Sequence, residues 1–215
     1  MGTLSNRVLD LVPTVFWTWY RKYNMKKIIL ASQSKARQKL LRQIGIKFQV
    51  AKPQAQESRK LKTNCADLVI QNALLKARDV ACRFRSGVVI AADTVVLSGK
   101  RIIGKPADMR EAFKILKLLS AKPQWVYTGL AVVDIDNGKT IVDYEKTKIY
   151  MYKLTDKQIR NYFRKVSPLD KAGSFDIQGI GSIFIDRIEG CFYNVVGLPL
   201  AKLAKMLKEA GVDVF

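Results

Sequence analysis

The chain has 215 residues, 48% of them hydrophobic, which suffices for one large domain or two small lobes around a shared core and excludes a disordered chain. Lys and Arg number 38 against 18 Asp and Glu; the resulting +20 points to nucleotides, nucleic acid or acidic membrane as partners, although lysines spread along the whole chain also suit solvated basic faces. Histidine is absent, which excludes Ser-His and Cys-His triads, imidazole bases and His-ligated zinc, and leaves acid–base work to carboxylates, Lys, Tyr or a metal-bound water.

Residues 1–24 carry an apolar, aromatic patch (Val15, Phe16, Trp17, Trp19) followed by Arg21 and Lys22. The charges come after the patch, so the layout is not that of a signal peptide, and Asn6 breaks the myristoylation pattern. The segment is read either as an extension ahead of a natural start at Met25 or as an amphipathic stretch, with residues 25–215 forming a single domain. No apolar run reaches the roughly 18 residues of a membrane span. Cys65, Cys82 and Cys191 are odd in number, widely spaced and without a C-x-x-C pair, as reduced thiols of a cytoplasmic protein would be.

From Ile28 the elements alternate between strand and helix, which predicts an α/β fold. Ile28–Ala31 is a short apolar strand, and a helix follows to Ile44 with Gly45 as its stop. Ser32 or Ser34 can cap that helix. Lys35 and Arg37 stand in its first turn against the helix dipole, and cations with hydroxyls and free N–H groups after a strand make a cradle for phosphate. Spacing alone leaves open an ordinary Ser cap with solvated cations. Residues 47–63 are polar and irregular, with Glu57 the only carboxylate in a cationic loop.

Asn64 to Phe84 is predicted helical, with Val69, Ala73, Ala77, Val80 and Phe84 on one stripe. Lys76 lies at the edge of that stripe, placed either to snorkel to solvent or to meet a phosphate in a cleft. Val88–Ala92 reads as a strand covered on both faces, with Asp93 and Thr94 at its end, where ligands of α/β sheets bind. A carboxylate partly withdrawn from water there suits a general base, and a turn aspartate fits the spacing equally. A hairpin at "LSGKRI" leads to "GKP", where Gly104 and Pro106 fix the backbone around Lys105.

Asp108 with Glu111 predicts a capping box and a helix burying Ala112, Ile115, Leu116 and Leu119. "WVYTGLAVVDI" and "TIVDYEKTKIYMY" form strands around a "DNGK" turn. Thr155 with Gln158 is a second box, opening a helix with Ile159, Tyr162 and Phe163. The segment 170–190 is Gly-rich, as backbone brought close to something would be, with one strand at Ile183–Ile185 and Gln178 in its middle. A last helix has Pro199 near its start and Gly211 as its stop. Carboxylates and fixed cations without histidine are what Mg²⁺-assisted chemistry on a phosphate ester needs.

In order and spacing, "ILASQSKARQKLL", "IAADTVV", "GKP", "VYTG", "DKAGSFDIQG" and "RIEGCFYNVVGLPL" resemble the Maf family of nucleoside triphosphate pyrophosphatases, also called septum-formation inhibitors. The likeness runs from about Lys27 to the C-terminus. It implies an elongated mixed β-sheet flanked by helices, in two lobes with a central cleft as in ITPase-like proteins, often as a homodimer. It implies hydrolysis of a nucleoside triphosphate to the monophosphate and pyrophosphate with a divalent cation, Mg²⁺ or Mn²⁺. On the family's pattern Asp93 is the proton acceptor, Ser32, Ser34 and Arg37 bind phosphate, Lys76 and Lys105 face the triphosphate, and Glu57 is a metal-ligand candidate. Thr94 and Gln178 match the branch acting on dTTP and UTP. Ala36, where that branch carries Arg, and Lys35, where it carries Pro, depart from it.

The alternative reading is a basic nucleic-acid-binding or cell-division regulatory protein without catalysis. Dispersed cations and the lack of any RRM, KH or helix-turn-helix pattern weigh against specific nucleic-acid binding.

Overall fold

The computed structural model describes residues 26–58, 64–169 and 171–214; the expectation for residues 1–24 lies outside them. Seven strands form one mixed sheet in the order β2-β1-β3-β5-β6-β7, with β4 paired to β3. The strands are β1 (Ile28–Leu30), β2 (Gln49–Val50), β3 (Val88–Ser98), β4 (Arg101–Ile103), β5 (Gln124–Asp134), β6 (Thr140–Met151) and β7 (Ile185–Glu189). The helices are α1 (Lys35–Gln43), α2 (Cys65–Ala81), α3 (Met109–Leu119), α4 (Asp156–Phe163), α5 (Phe192–Val196) and α6 (Leu200–Glu209). The pairs of β1 with β2 and with β3 are parallel and the others antiparallel.

Alternation along β3 divides the core. Val88, Ile90 and Ala92 face one side and pack with Leu40 and Leu41 of α1 and Leu203 and Leu207 of α6. Val89 and Ala91 face the other and pack with Ala73, Ala77 and Val80 of α2. A third cluster joins Val96, Val126 and Ile149 to Leu116 and Leu119 of α3 and Ile159 and Tyr162 of α4. The first two clusters build the lobe around the parallel strands; the third builds the lobe around β4 and the far ends of β5 and β6.

The starts of α1, α2, α3 and α4 follow their caps. Ser34 caps α1 by accepting from the Arg37 N–H, and Gly45 leaves that helix at φ +74°. Asn64 caps α2 through the Asp67 N–H. The Thr155–Gln158 box at α4 is complete. The box expected at α3 is half formed: Asp108 accepts from the Glu111 N–H, but the Glu111 carboxylate reaches one residue further back, to the Ala107 N–H.

Three expectations are corrected. β3 does not end at Ala92; it continues to Ser98, because Val95, Val96 and Leu97 keep pairing with β5. Asp93 and Thr94 are therefore mid-strand, and what stops near them is the neighbour: β1 pairs with β3 only to Ile90, and β4 pairs with it only from Val96 onward. Residues 47–63 contain the edge strand β2. The strand expected at Ile183–Ile185 begins at Ile185, since Ile180–Phe184 is a 3-10 turn that buries Phe184 against Tyr162 and leaves Ile183 exposed. In that Gly-rich stretch the close neighbour is the chain itself: a Cβ on Gly181 would lie 2.6 Å from the Asp176 carbonyl oxygen.

Gly129 decides how α2 meets the sheet. It lies opposite Asp93 in register, and a Cβ there would stand 2.2 Å from the Val69 carbonyl oxygen. Helix backbone thus rests on strand backbone beside Asp93. Gly129→Ala should destabilise the fold by about 2–3 kcal/mol through overpacking against unyielding backbone, read from urea denaturation midpoints. A wild-type midpoint would show that α2 is not seated this closely.

Candidate active site

The candidate site lies at the gap in strand pairing along β3. Between Ile90 and Val96 no described strand covers that edge. The N-terminus of α1, the loop of residues 51–58 and one face of α2 gather around it.

Asp93 faces α2. It is 6% exposed, and both of its oxygens are held: Oδ1 accepts from Lys76 Nζ at 2.9 Å and Oδ2 from Asn72 Nδ2 at 2.9 Å. Lys76 is buried as well and does not snorkel; its ammonium also donates to Glu57 Oε1 at 3.1 Å, leaving a third N–H. Glu57 is half-exposed, on a loop that crosses α2 and is anchored to it through Gln54 N–H on Asp79 and Ser58 on Asn72. Asp93, Lys76 and Glu57, far apart in sequence, are thus one contact group.

Arg37 reaches the gap from the other side. Its Nε donates to Gly197 O at 2.8 Å, Nη1 to Ala92 O at 2.9 Å and to Ser32 Oγ at 3.3 Å, and Nη2 to Thr94 Oγ1 at 2.9 Å. Four of its five N–H groups are therefore used within the protein. Burial lowers its pKa from the ordinary value, and attraction from Asp93 and Glu57 opposes the shift. Two carboxylates, Asp93 and Glu57, thus stand among two cations, Lys76 and Arg37.

The first turn of α1 contains no acid. Ser34 Oγ takes the Arg37 N–H, and Ser32 Oγ takes that of Ser34. The remaining first-turn N–H groups have no intrahelical acceptor, which is the arrangement that attracts a phosphate.

Adjacent strand residues point to opposite faces, so Thr94 does not share the Asp93 pocket. Thr94 Oγ1 lies 3.0 Å from Thr128 Oγ1, and Thr128 donates to Asn194 O. Asn194 Nδ2 continues the chain to Val126 O and Thr147 Oγ1. Thr94 therefore belongs to a polar network running from Arg37 into α5. Ala36 is partly buried in α1, and Lys35 is exposed.

Lys105 and Gln178 are exposed, outside the Asp93 group. Their segments meet where Gly173 N–H donates to Gly104 O at 3.3 Å. Lys105 follows β4, which pairs on the same edge of β3 beyond the gap.

Residues 27–210 match the Maf family, described as Maf-like protein. The chain belongs to the Maf family. A dTTP/UTP pyrophosphatase of Methanosarcina barkeri is 47% identical over 89% of this chain and 98% of that protein. One from Bacillus cereus is 44% identical over 89% of this chain and 93% of that protein. The Staphylococcus aureus Ham1 protein superposes at a TM-score of 0.42 with 18% identity, over 60% of this chain and 73% of that one, too slight a likeness to carry an argument.

Asn72, which donates to Asp93, is the residue of this cluster that motif reading passed over. Its signal was available: it lies four residues before Lys76, on the same helical face, as a polar residue beside an otherwise apolar stripe. Among the described residues no group of three or more His, Cys, Asp or Glu forms a ready-made metal cage. Asp93 and Glu57 nevertheless already hold one cation, the Lys76 ammonium, between them. Two carboxylates suit a Mg²⁺ that takes its other ligands from phosphates and water, so the residues fit such an ion. No helix among the described residues is long and apolar enough to cross a membrane, and the three cysteines are free thiols.

Proposed function

We propose that this chain hydrolyses a nucleoside triphosphate between its α- and β-phosphates, with dTTP and UTP as leading substrates, releasing the monophosphate and pyrophosphate. The observation that carries the reading is Asp93, a buried carboxylate locked by Lys76 and Asn72 in a gap that opens onto the N-terminus of α1. The names of the relatives supply the substrate class.

Asp93 accepts the proton of the water that attacks the α-phosphorus. The P–O bond to the bridging oxygen breaks, and its electron pair leaves with pyrophosphate. The first turn of α1 with Ser32 and Ser34 receives phosphate oxygens. Arg37 contributes positive potential and its fifth N–H, and Lys105 and the third N–H of Lys76 offset charge growing on the leaving group. Asp93 and Glu57 would hold a divalent cation, Mg²⁺ or Mn²⁺, which when bound would neutralise phosphate charge and polarise the scissile group.

Base choice falls to the exposed Gln178 and to Thr94 acting through Arg37, while Ala36 gives the base a small, uncharged neighbour. On this reading the protein works in the cytoplasm on free nucleotides, as a homodimer.

A panel of purine, pyrimidine and modified triphosphates assayed for pyrophosphate tests the reading. dTTP and UTP should turn over at least about tenfold faster than ATP or GTP, a difference of about 1.4 kcal/mol in transition-state binding. Chelation should stop turnover, and added Mg²⁺ or Mn²⁺ should restore it. Equal rates on purines and pyrimidines would defeat the base assignment; orthophosphate as first product would defeat the reaction.

A further inference from the structure

We infer that Asn72 is a positioning residue that orients Asp93 and couples it to the loop carrying Glu57; this deepens the proposed function and rests on Asp93 as proton acceptor. Asn72 is 3% exposed and its amide is almost wholly committed. Nδ2 donates to Asp93 Oδ2 and to Ser58 O, both at 2.9 Å, and Oδ1 accepts from the Ser58 N–H at 2.9 Å. A carboxylate only accepts and a backbone N–H only donates, so the two ends of the amide cannot be exchanged.

Asn72 and Lys76 are one turn apart on α2 and take different oxygens of the same carboxylate. Two donors fixed on one rigid helix hold the plane of that carboxylate as either alone could not. A proton acceptor works when its lone pair is held within a narrow range of the attacking water, and a displacement of about 1 Å costs on the order of 10²-fold in rate. Ser58 directly follows Glu57, so the same amide that orients Asp93 also sets where Glu57 meets Lys76. The resulting ring of contacts, Asp93–Asn72–Ser58–Glu57–Lys76–Asp93, closes on itself.

Two variants separate orientation from anchoring. Asn72→Leu, close in volume, removes all three hydrogen bonds. Asn72→Asp keeps an acceptor for the Ser58 N–H but loses the donor to Asp93 and adds a repelling charge. Each is assayed for kcat and KM on dTTP, for amide hydrogen exchange at Ser58, and for folding by circular dichroism.

In Asn72→Leu, kcat should fall about 10²-fold with KM within about threefold, and the Ser58 amide should exchange faster. In Asn72→Asp, kcat should fall at least as far while Ser58 keeps its protection. A folded Asn72→Leu with wild-type kcat overturns the orienting role, as does a loss that appears only in KM. Unchanged Ser58 exchange in that variant overturns the coupling. If the wild-type protein releases pyrophosphate from no triphosphate, the proposed function fails and takes the orienting role with it, while Ser58 exchange still decides the coupling.

Discussion

Asp93→Asn should lower kcat for pyrophosphate release by roughly 10²–10⁴-fold, the usual contribution of a positioned general base, while the protein still binds the triphosphate. The amide keeps the carboxylate's shape but is a far weaker proton acceptor. It also has one acceptor oxygen where the carboxylate has two, and both are claimed, by Lys76 and Asn72. Whichever way the amide turns, one donor loses its partner, at a cost of about 1–3 kcal/mol. Lys76 keeps Glu57 as its counter-charge, so the variant should remain folded. Single-turnover pyrophosphate assays beside calorimetric titration with dTTP check both halves. Wild-type turnover would end the assignment of Asp93; loss of binding in step with turnover would make it a ligand contact rather than a base.

Lys76→Met should be the most destabilising replacement in the site. Lys76 is buried between Asp93 at 2.9 Å and Glu57 at 3.1 Å. Its removal leaves a buried carboxylate with Asn72 as its remaining donor and Glu57 as an uncompensated like charge. Breaking a buried ion pair from one side costs about 3–5 kcal/mol, because the abandoned partner cannot return to water. Urea denaturation at neutral pH reads this directly. The same replacement made in Asp93→Asn should cost less, by up to about 3 kcal/mol, since no buried charge is left unpaired. Strictly additive effects would mean that the ion pair is not coupled in solution.

Much of this site is legible in the chain because its parts rest on local chemistry. Ser34 caps α1 and Asn64 caps α2 through bonds to residues three positions on, so a short window contains both partners. The apolar stripe of α2 and the buried run from Val88 to Ala92 carry the periods of their elements. The half-formed box at α3 marks the limit of such windows, since Glu111 finds a partner one residue from the expected one.

Other features depend on partners distant in sequence. Nothing local says that β3 continues past Asp93, because β5 carries it onward and β1 stops pairing with it. Asp93 and Thr94 are neighbours in the chain but serve opposite faces: one belongs to the Lys76 group and the other to the network through Thr128 and Asn194. Arg37 reads as a phosphate cation from its motif, whereas the folded chain uses most of its guanidinium to tie α1 to β3 and to Gly197.

By itself, then, the sequence determined the α/β class, the starts of α1, α2, α3, α4 and α6, and the types of residue available: carboxylates, lysines, hydroxyls and no histidine. Those follow from side-chain chemistry and short-range periodicity, which act within a few residues. Only the tertiary structure decided that Asp93, Asn72, Lys76 and Glu57 close into one ring, and that the ring stands in a gap between β1 and β4. That outcome comes from where β1 stops pairing and from Gly129 letting α2 rest on the sheet, and both are settled by contacts between segments far apart in the chain.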